Sequence, residues 1–153
     1  MEVKRINSHE ASLVTDLFDK YRMFYKQPSD ITLAQTFIRD RLENNESIIF
    51  VAVVRNDDNE TPVGFTQLYP GFSSVRAIKN WILNDLYVDT GFRKQGIGET
   101  LIKSAMEFAK KEGAKYVELS TAVDNYTAQS LYTAIGFKKQ EPDKNFISYR
   151  ISL

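Results

Sequence analysis

The sequence predicts an α/β fold in which a mixed sheet carries helices on both faces, in the order β-α-α-β-β-β-α-β-α-β-β. Three observations predict it. Hydrophobic spacing switches repeatedly between strand-like alternation and helical periodicity, clusters of Gly, Pro, Asn and Asp punctuate the switches, and one glycine-bearing turn leads from a strand directly into a helix. At 153 residues the chain predicts a single domain over residues 1–153, long enough to bury its own core.

Each element has its own signal. Glu2 to Ile6 alternates as an edge strand, and Ser8 suits an N-cap with Glu10 in the first turn. Leu13, Val14, Leu17, Phe18, Tyr21, Phe24 and Tyr25 then recur at helical spacing. Pro28-Ser29-Asp30 breaks that helix and caps a second, striped by Leu33, Phe37, Ile38 and Leu42 and ended by Asn44-Asn45. Ser47 to Arg55 and Pro62 to Tyr69 read as a hairpin around Asn56-Asp57-Asp58-Asn59, closed by Pro70-Gly71. Trp81 to Val88 is the next strand, unusual in carrying the polar pair Asn84-Asp85. From Gly96 a helix buries Ile97, Leu101, Ile102, Ala105 and Ala109 and stops at Gly113. Lys115 to Thr121 is a strand and Asn125 to Ile135 a helix with Gly136 at its C′ position. Phe137 to Lys139 and Asn145 to Ile151 read as the last two strands.

Composition removes several function classes. Twenty Lys and Arg balance twenty Asp and Glu, so bulk charge does not point to a nucleic acid or an anionic membrane, and any anion site must be local. With no cysteine, thiol catalysis, thiolate zinc sites and disulfides are excluded. His9, a lone histidine without clustered acids, predicts no metal site. The N-terminus lacks the apolar stretch of a signal peptide and no run approaches a membrane span, which predicts a cytoplasmic protein.

The chemistry is concentrated in Asp85 to Glu99. A strand enters a glycine-bearing turn that opens into a helix whose first N–H groups are free to meet an anion. Gly96 and Gly98 take side chains away where backbone must approach phosphate, and Arg93 and Lys94 add positive charge at the same end. A P-loop would need Gly-x-x-x-x-Gly-Lys-Ser/Thr, which is absent, and a dinucleotide fingerprint would place Gly or Ala where this chain has Leu101.

What fits is Arg-x-x-Gly-x-Gly at Arg93, Gly96 and Gly98, which resembles the pyrophosphate-binding motif of the Gcn5-related N-acetyltransferases. A second stretch, Asn125-Tyr126-Thr127-Ala128-Gln129-Ser130-Leu131-Tyr132-Thr133-Ala134-Ile135-Gly136-Phe137, resembles that family's Asn-x-x-Ala-x-x-Leu-Tyr-x-x-x-Gly-Phe helix. Leu83 to Val88 and Gln67-Leu68-Tyr69 look most like the polyamine (diamine) acetyltransferase branch. The resemblance covers nearly the whole chain. It implies a mixed, mostly antiparallel sheet of six to seven strands, acetyl-coenzyme A as co-substrate and coenzyme A as product. Arg93, Lys94, Gln95, Gly96, Ile97, Gly98 and Glu99 would hold the pyrophosphate, the main chain of Leu86, Tyr87 and Val88 the pantetheine, and Asn125 the cofactor arm. Dimerisation through the C-terminal strands is a habit of that family and is not legible in these residues.

Acetyl transfer to an amine needs an uncharged amine and a proton for the departing thiolate. A thiol has a pKa of about 8.5 and a tyrosine about 10, so Tyr132, on the helix face of Ala128, Leu131 and Ile135, suits the acid. Polyamine-type relatives carry Glu where this chain has Asn84, and an amide takes no proton. Asp85 is left as base or partner of the substrate ammonium, against a salt-bridged structural role for it and against deprotonation through a water chain held by Asn84 or Tyr87. Strict alternation would put Asn84 and Asp85 on opposite faces. Tyr21, Tyr25 and Trp81 are the acceptor-side candidates, each with core packing as its alternative role. Together these residues predict direct acetyl transfer to a primary amine of a small molecule such as an amino acid or a polyamine. A peptide N-terminus, a lysine, or a non-catalytic acyl-coenzyme A-binding module are the alternatives.

Overall fold

β-Branched residues from Ile48 onward alternate in burial, and that alternation sets the two faces of the sheet. In the computed structural model, which describes residues 1–153, the chain divides into the units Met1–Ser120 and Thr121–Leu153. The first contains β1 (Glu2–Arg5), α1 (Ser12–Phe24), α2 (Ile31–Glu43), β2 (Ile48–Asn56), β3 (Asn59–Ser73), β4 (Ile78–Val88), α3 (Ile97–Lys111) and β5 (Val117–Glu118). Its sheet has the order β1-β2-β3-β4-β5. Neighbours are antiparallel except β4 and β5, which run parallel.

Ile49, Val51 and Val53 face α1 and α2, where they pack with Val14, Phe18 and Ile38. Ala52 and Val63 face the other way, onto Ile97 and Leu101 of α3. Helices therefore cover both faces, and each fully buried aliphatic side chain contributes roughly 1.5–3 kcal/mol. Asp30 caps α2 by accepting from the Leu33 amide at 3.0 Å.

Three local expectations are corrected. Asn7, not Ser8, is the cap: its Oδ1 accepts from the His9 amide at 2.9 Å while Glu10 accepts from the Asn7 amide at 3.2 Å. This capping box closes a short 3-10 turn, Ser8–Glu10, and α1 begins at Ser12. Pro70-Gly71 does not close the β3 hairpin; β3 continues to Ser73, with Pro70 opposite Trp81. Gly71 permits this continuation, since a Cβ there would lie 2.8 Å from the Asn80 side chain. β5 is only Val117–Glu118, pairing with Trp81 and Ile82.

In the second unit α4 spans Tyr126–Ile135, capped by Asn125 and ended by Gly136 at φ 118°. The strands expected at Phe137–Lys139 and Asn145–Ile151 do not form, and the sheet has five strands rather than six or seven. Alternation supplies a face, but a strand also needs ladder partners. Here local bonds satisfy the backbone instead, Gln140 Nε2 donating to Lys138 O at 2.9 Å and the Asn145 amide to Asp143 Oδ1 at 2.8 Å.

Candidate active site

Strand β4 carries two neighbouring sites. At its C-terminal end Asp89 Oδ1 accepts from the Thr90 amide and Lys20 holds the same carboxylate at 2.8 Å. Arg93 folds back, its Nε donating to Val88 O at 2.9 Å and its guanidinium lying over the Tyr87 ring. Lys94 and Gly96 both take left-handed backbone, at φ 60° and 79°. Such a turn aims successive N–H groups into one concavity. No side chain caps α3, so the amides of Ile97, Gly98 and Glu99 remain available to an anion.

Two further observations fit a pyrophosphate. A Cβ built on Gly96 would project into open space, so the glycine serves backbone conformation and leaves the cradle clear. A Cβ on Gly64, opposite Val88, would lie 2.9 Å from Tyr87 O and 3.3 Å from Leu101. Bare backbone at Gly64 is what lets the first turn of α3 sit against β3 and β4. Gln95 lies in the same exposed turn, and Glu99 pairs with Lys103 at 2.6 Å. Because β5 pairs with β4 only at Trp81 and Ile82, it takes no ladder bonds along Leu86, Tyr87 and Val88.

The second site lies three residues earlier on β4, about 10 Å by strand rise. Gln67 is opposite Asp85 and Leu68 is opposite Leu83, so Asn84 is an extra residue in a β-bulge. The bulge cancels the expected alternation. Asn84 and Asp85 line the same cavity, and Asn84 Nδ2 donates to Asp85 Oδ1 at 2.8 Å. Asp85 is only 2% exposed; Gln67 Nε2 donates to its other oxygen. Burial pushes the Asp85 carboxyl above the ordinary carboxylate range, against the opposing effect of donors from Gln67, Asn84 and Tyr21.

The cavity has a volume of about 280 Å³. Tyr21 and Tyr69 bring phenols to it, and burial, followed by the Asp85 charge, raises both so that they stay protonated. Tyr21 Oη also reaches Asn84 O at 3.4 Å. Arg22, from the last turn of α1, adds a cation to the lining, and Phe18, Leu33 and Phe37 add apolar wall. The polar residues Gln67, Tyr69 and Arg22 were not singled out as site residues by the sequence. Their available signal is polar side chains inside otherwise apolar β3 and at an amphipathic helix end.

The other candidates fall elsewhere. Tyr25 is 47% exposed, edge-on to Tyr21, and is not part of the lining. Trp81 is buried against Phe108 of α3, away from this cavity, because its neighbours in the fold are α3 residues. In the Thr121–Leu153 unit the Asn125 side chain accepts from the Ala128 amide at 3.2 Å. Tyr132 is half-buried there and meets Phe137 edge-on.

The fold and the glycine-bearing turn into α3 fit the acetyltransferase class. The chain belongs to the Acetyltransferase (GNAT) family, whose sequence model matches residues 12–137. It is 39% identical over 153 residues to YhfO of Bacillus subtilis (strain 168), an uncharacterized N-acetyltransferase, covering 100% of this chain and 98% of that protein. It is similar to a solved structure described as a probable acetyltransferase, with TM-score 0.86, 35% identity and coverage of 100% and 98% of the two chains. The fold is also that of AAC(6')-Iy solved with the bisubstrate analog CoA-S-monomethyl-acetylneamine, at TM-score 0.75 and 18% identity, covering 99% and 98% of the chains. No helix is long and apolar enough to cross a membrane.

Proposed function

We propose that residues 1–153 act as one catalytic domain that moves the acetyl group of acetyl-coenzyme A directly to a primary amine of a small molecule. The observation that carries this reading is the buried Asp85 carboxylate in an aromatic cavity on the same strand as the phosphate cradle. At about 280 Å³ the cavity is close to the small end of the ~300–1,000 Å³ range of ligand pockets, which favours a compact acceptor. When bound, the coenzyme supplies an activated thioester.

The chain's residues divide the remaining work. The first turn of α3, with Arg93 and Lys94, binds the pyrophosphate, and the main chain of Leu86 to Val88 orients the pantetheine. Asp85 takes the proton that makes the acceptor nitrogen nucleophilic; its raised affinity for protons brings it nearer the working pH of a base. Asn84 and Gln67 hold the carboxylate with N–H donors. Tyr132 Oη delivers a proton to the leaving sulfur. A covalent acyl-cysteine route has no residue to use, since the chain has no cysteine.

An acceptor screen tests this, with amino acids, polyamines, aminoglycosides and peptides carrying free N-termini, read by thiol release. Small amines should be turned over and peptides should not. Tyr132→Phe should lower kcat about tenfold to a hundredfold while acetyl-coenzyme A affinity, by calorimetry, changes far less. Coenzyme binding without turnover of any amine would instead identify an acyl-coenzyme A-binding module.

A further inference from the structure

We infer that the acceptor is an amino carboxylate with an apolar side chain, its ammonium set against Asp85 and its carboxylate against the Arg22 guanidinium. This rests on the acetyltransferase reading above and specifies which amine the site selects.

The argument begins with the charges in the cavity. Asp85 and Arg22 are the one acid and the one base that line it. A dication such as a diamine would meet a single carboxylate and a fixed positive charge, whereas an amino acid presents the complementary pair.

Arg22 also has donors to spend. Its Nη1 reaches Pro28 O at 3.4 Å and Asp19 Oδ1 at 3.7 Å, both longer than a normal N–H···O bond of about 2.7–3.2 Å. Asp19 is already satisfied, accepting from Ser29 Oγ at 2.6 Å and the Asp30 amide at 2.8 Å. Its ionised state is secured chiefly by the Ser29 and Asp30 bonds, with the Arg22 charge a smaller cause. The guanidinium is therefore anchored at the α1–α2 connection without being consumed there, and a planar carboxylate matches its forked donors.

The walls complete the description. Phe18 and Phe37 stack with ring centroids 5.5 Å apart, and with Leu33 they give an apolar lining. A volume of about 280 Å³ lies close to the small end of the ~300–1,000 Å³ range of ligand pockets, which suits an acceptor as compact as one free amino acid.

The test compares phenylalanine and leucine with their decarboxylated counterparts, phenethylamine and isoamylamine, alongside phenylalaninamide and 1,4-diaminobutane, all by thiol release. Each amino acid should exceed its matched amine at least tenfold in kcat/KM, mainly through KM. Arg22→Gln should bring that ratio close to one, and Arg22→Lys should restore part of it. A role for Arg22 confined to holding the α1 terminus would lower all acceptors together and leave the ratio intact, which would overturn the inference. So would a matched amine, the amide or the diamine equal to or better than the acid. If no compound in this panel or the wider screen is turned over, the acetyltransferase reading fails as well, an outcome distinct from turnover with the wrong preference.

Discussion

At the end of β4 the chain presents main-chain N–H groups, left-handed backbone and exposed cations to solvent; at Asp85, on the same strand, it presents a side-chain carboxylate that is 2% exposed beneath two phenols. The cradle works through backbone shape and needs residues that leave space. The cavity works through a buried charge and needs neighbours that hold it by hydrogen bonds. The first should therefore be sensitive to backbone substitutions with little pH dependence of its own, and the second to isosteric substitutions with a strong one.

The largest expected effect separates them directly. Gly96→Val puts a β-branched residue at φ 79°, a conformation that only glycine adopts cheaply. Coenzyme affinity by calorimetry should fall at least about a hundredfold, the loss of two or more of the charge-assisted bonds that anchor an anion, while circular dichroism stays that of a folded chain. Retained affinity would remove the phosphate assignment.

Asp85→Asn should lower kcat/KM about a hundredfold or more, with coenzyme affinity preserved. The proposed base role makes the basic form of Asp85 the working one, so kcat/KM should rise with pH through a limb above the ordinary carboxylate range, and D85N should lack that limb. Stability should run the other way. Burial raises the Asp85 pKa in the fold, so between the unfolded and folded pKa values the native state binds more protons than the unfolded chain. Stability contributed by this group is fully present below the unfolded pKa and is lost as pH rises through the folded one. Thermal melts should show D85N gaining stability relative to the native chain as pH rises across that window, the behaviour of an active site held at a stability cost.

Gly64→Ala tests the shared support. Its Cβ would meet Tyr87 O at 2.9 Å, so denaturant unfolding should show a loss of about 1–3 kcal/mol, with coenzyme affinity falling more than acceptor affinity. The smallest effect is expected from Gln67→Leu. It removes a donor that lowers the Asp85 pKa, and the kinetic limb should move to higher pH with coenzyme affinity unaffected. A limb that stays in place would assign the titration to another group.

Much of this architecture is legible in the residues. The order of elements from β1 to α4 follows from periodicity and from Asp30, Gly113 and Gly136, and the cradle follows from Arg93, Gly96 and Gly98. These signals work because they are local: a left-handed turn or a helix end restricts which residue types can occupy it. The cavity was less legible. Asn84-Asp85 marks an anomaly in a strand, but alternation predicts opposite faces for the pair, and only the pairing of Gln67 with Asp85 and Leu68 with Leu83 reveals the bulge. Arg22 and Tyr69 join Asp85 through contacts between α1, β3 and β4 that no spacing rule encodes. The two unformed C-terminal strands show the same limit, since Phe146, Ile147, Tyr149 and Ile151 alternate imperfectly and have no ladder to join.

The sequence by itself determined the family, the helices, the order of the elements from β1 to α4 and the glycine-bearing turn into α3, because these depend on local backbone preference and short-range motif. The tertiary structure decided that Asn84 and Asp85 share one cavity, that Gln67 donates to the Asp85 carboxylate, that Trp81 packs against α3, and that Arg22 lines the same cavity as Asp85. Those outcomes depend on strand register and helix docking, where a one-residue offset reverses the direction of a side chain.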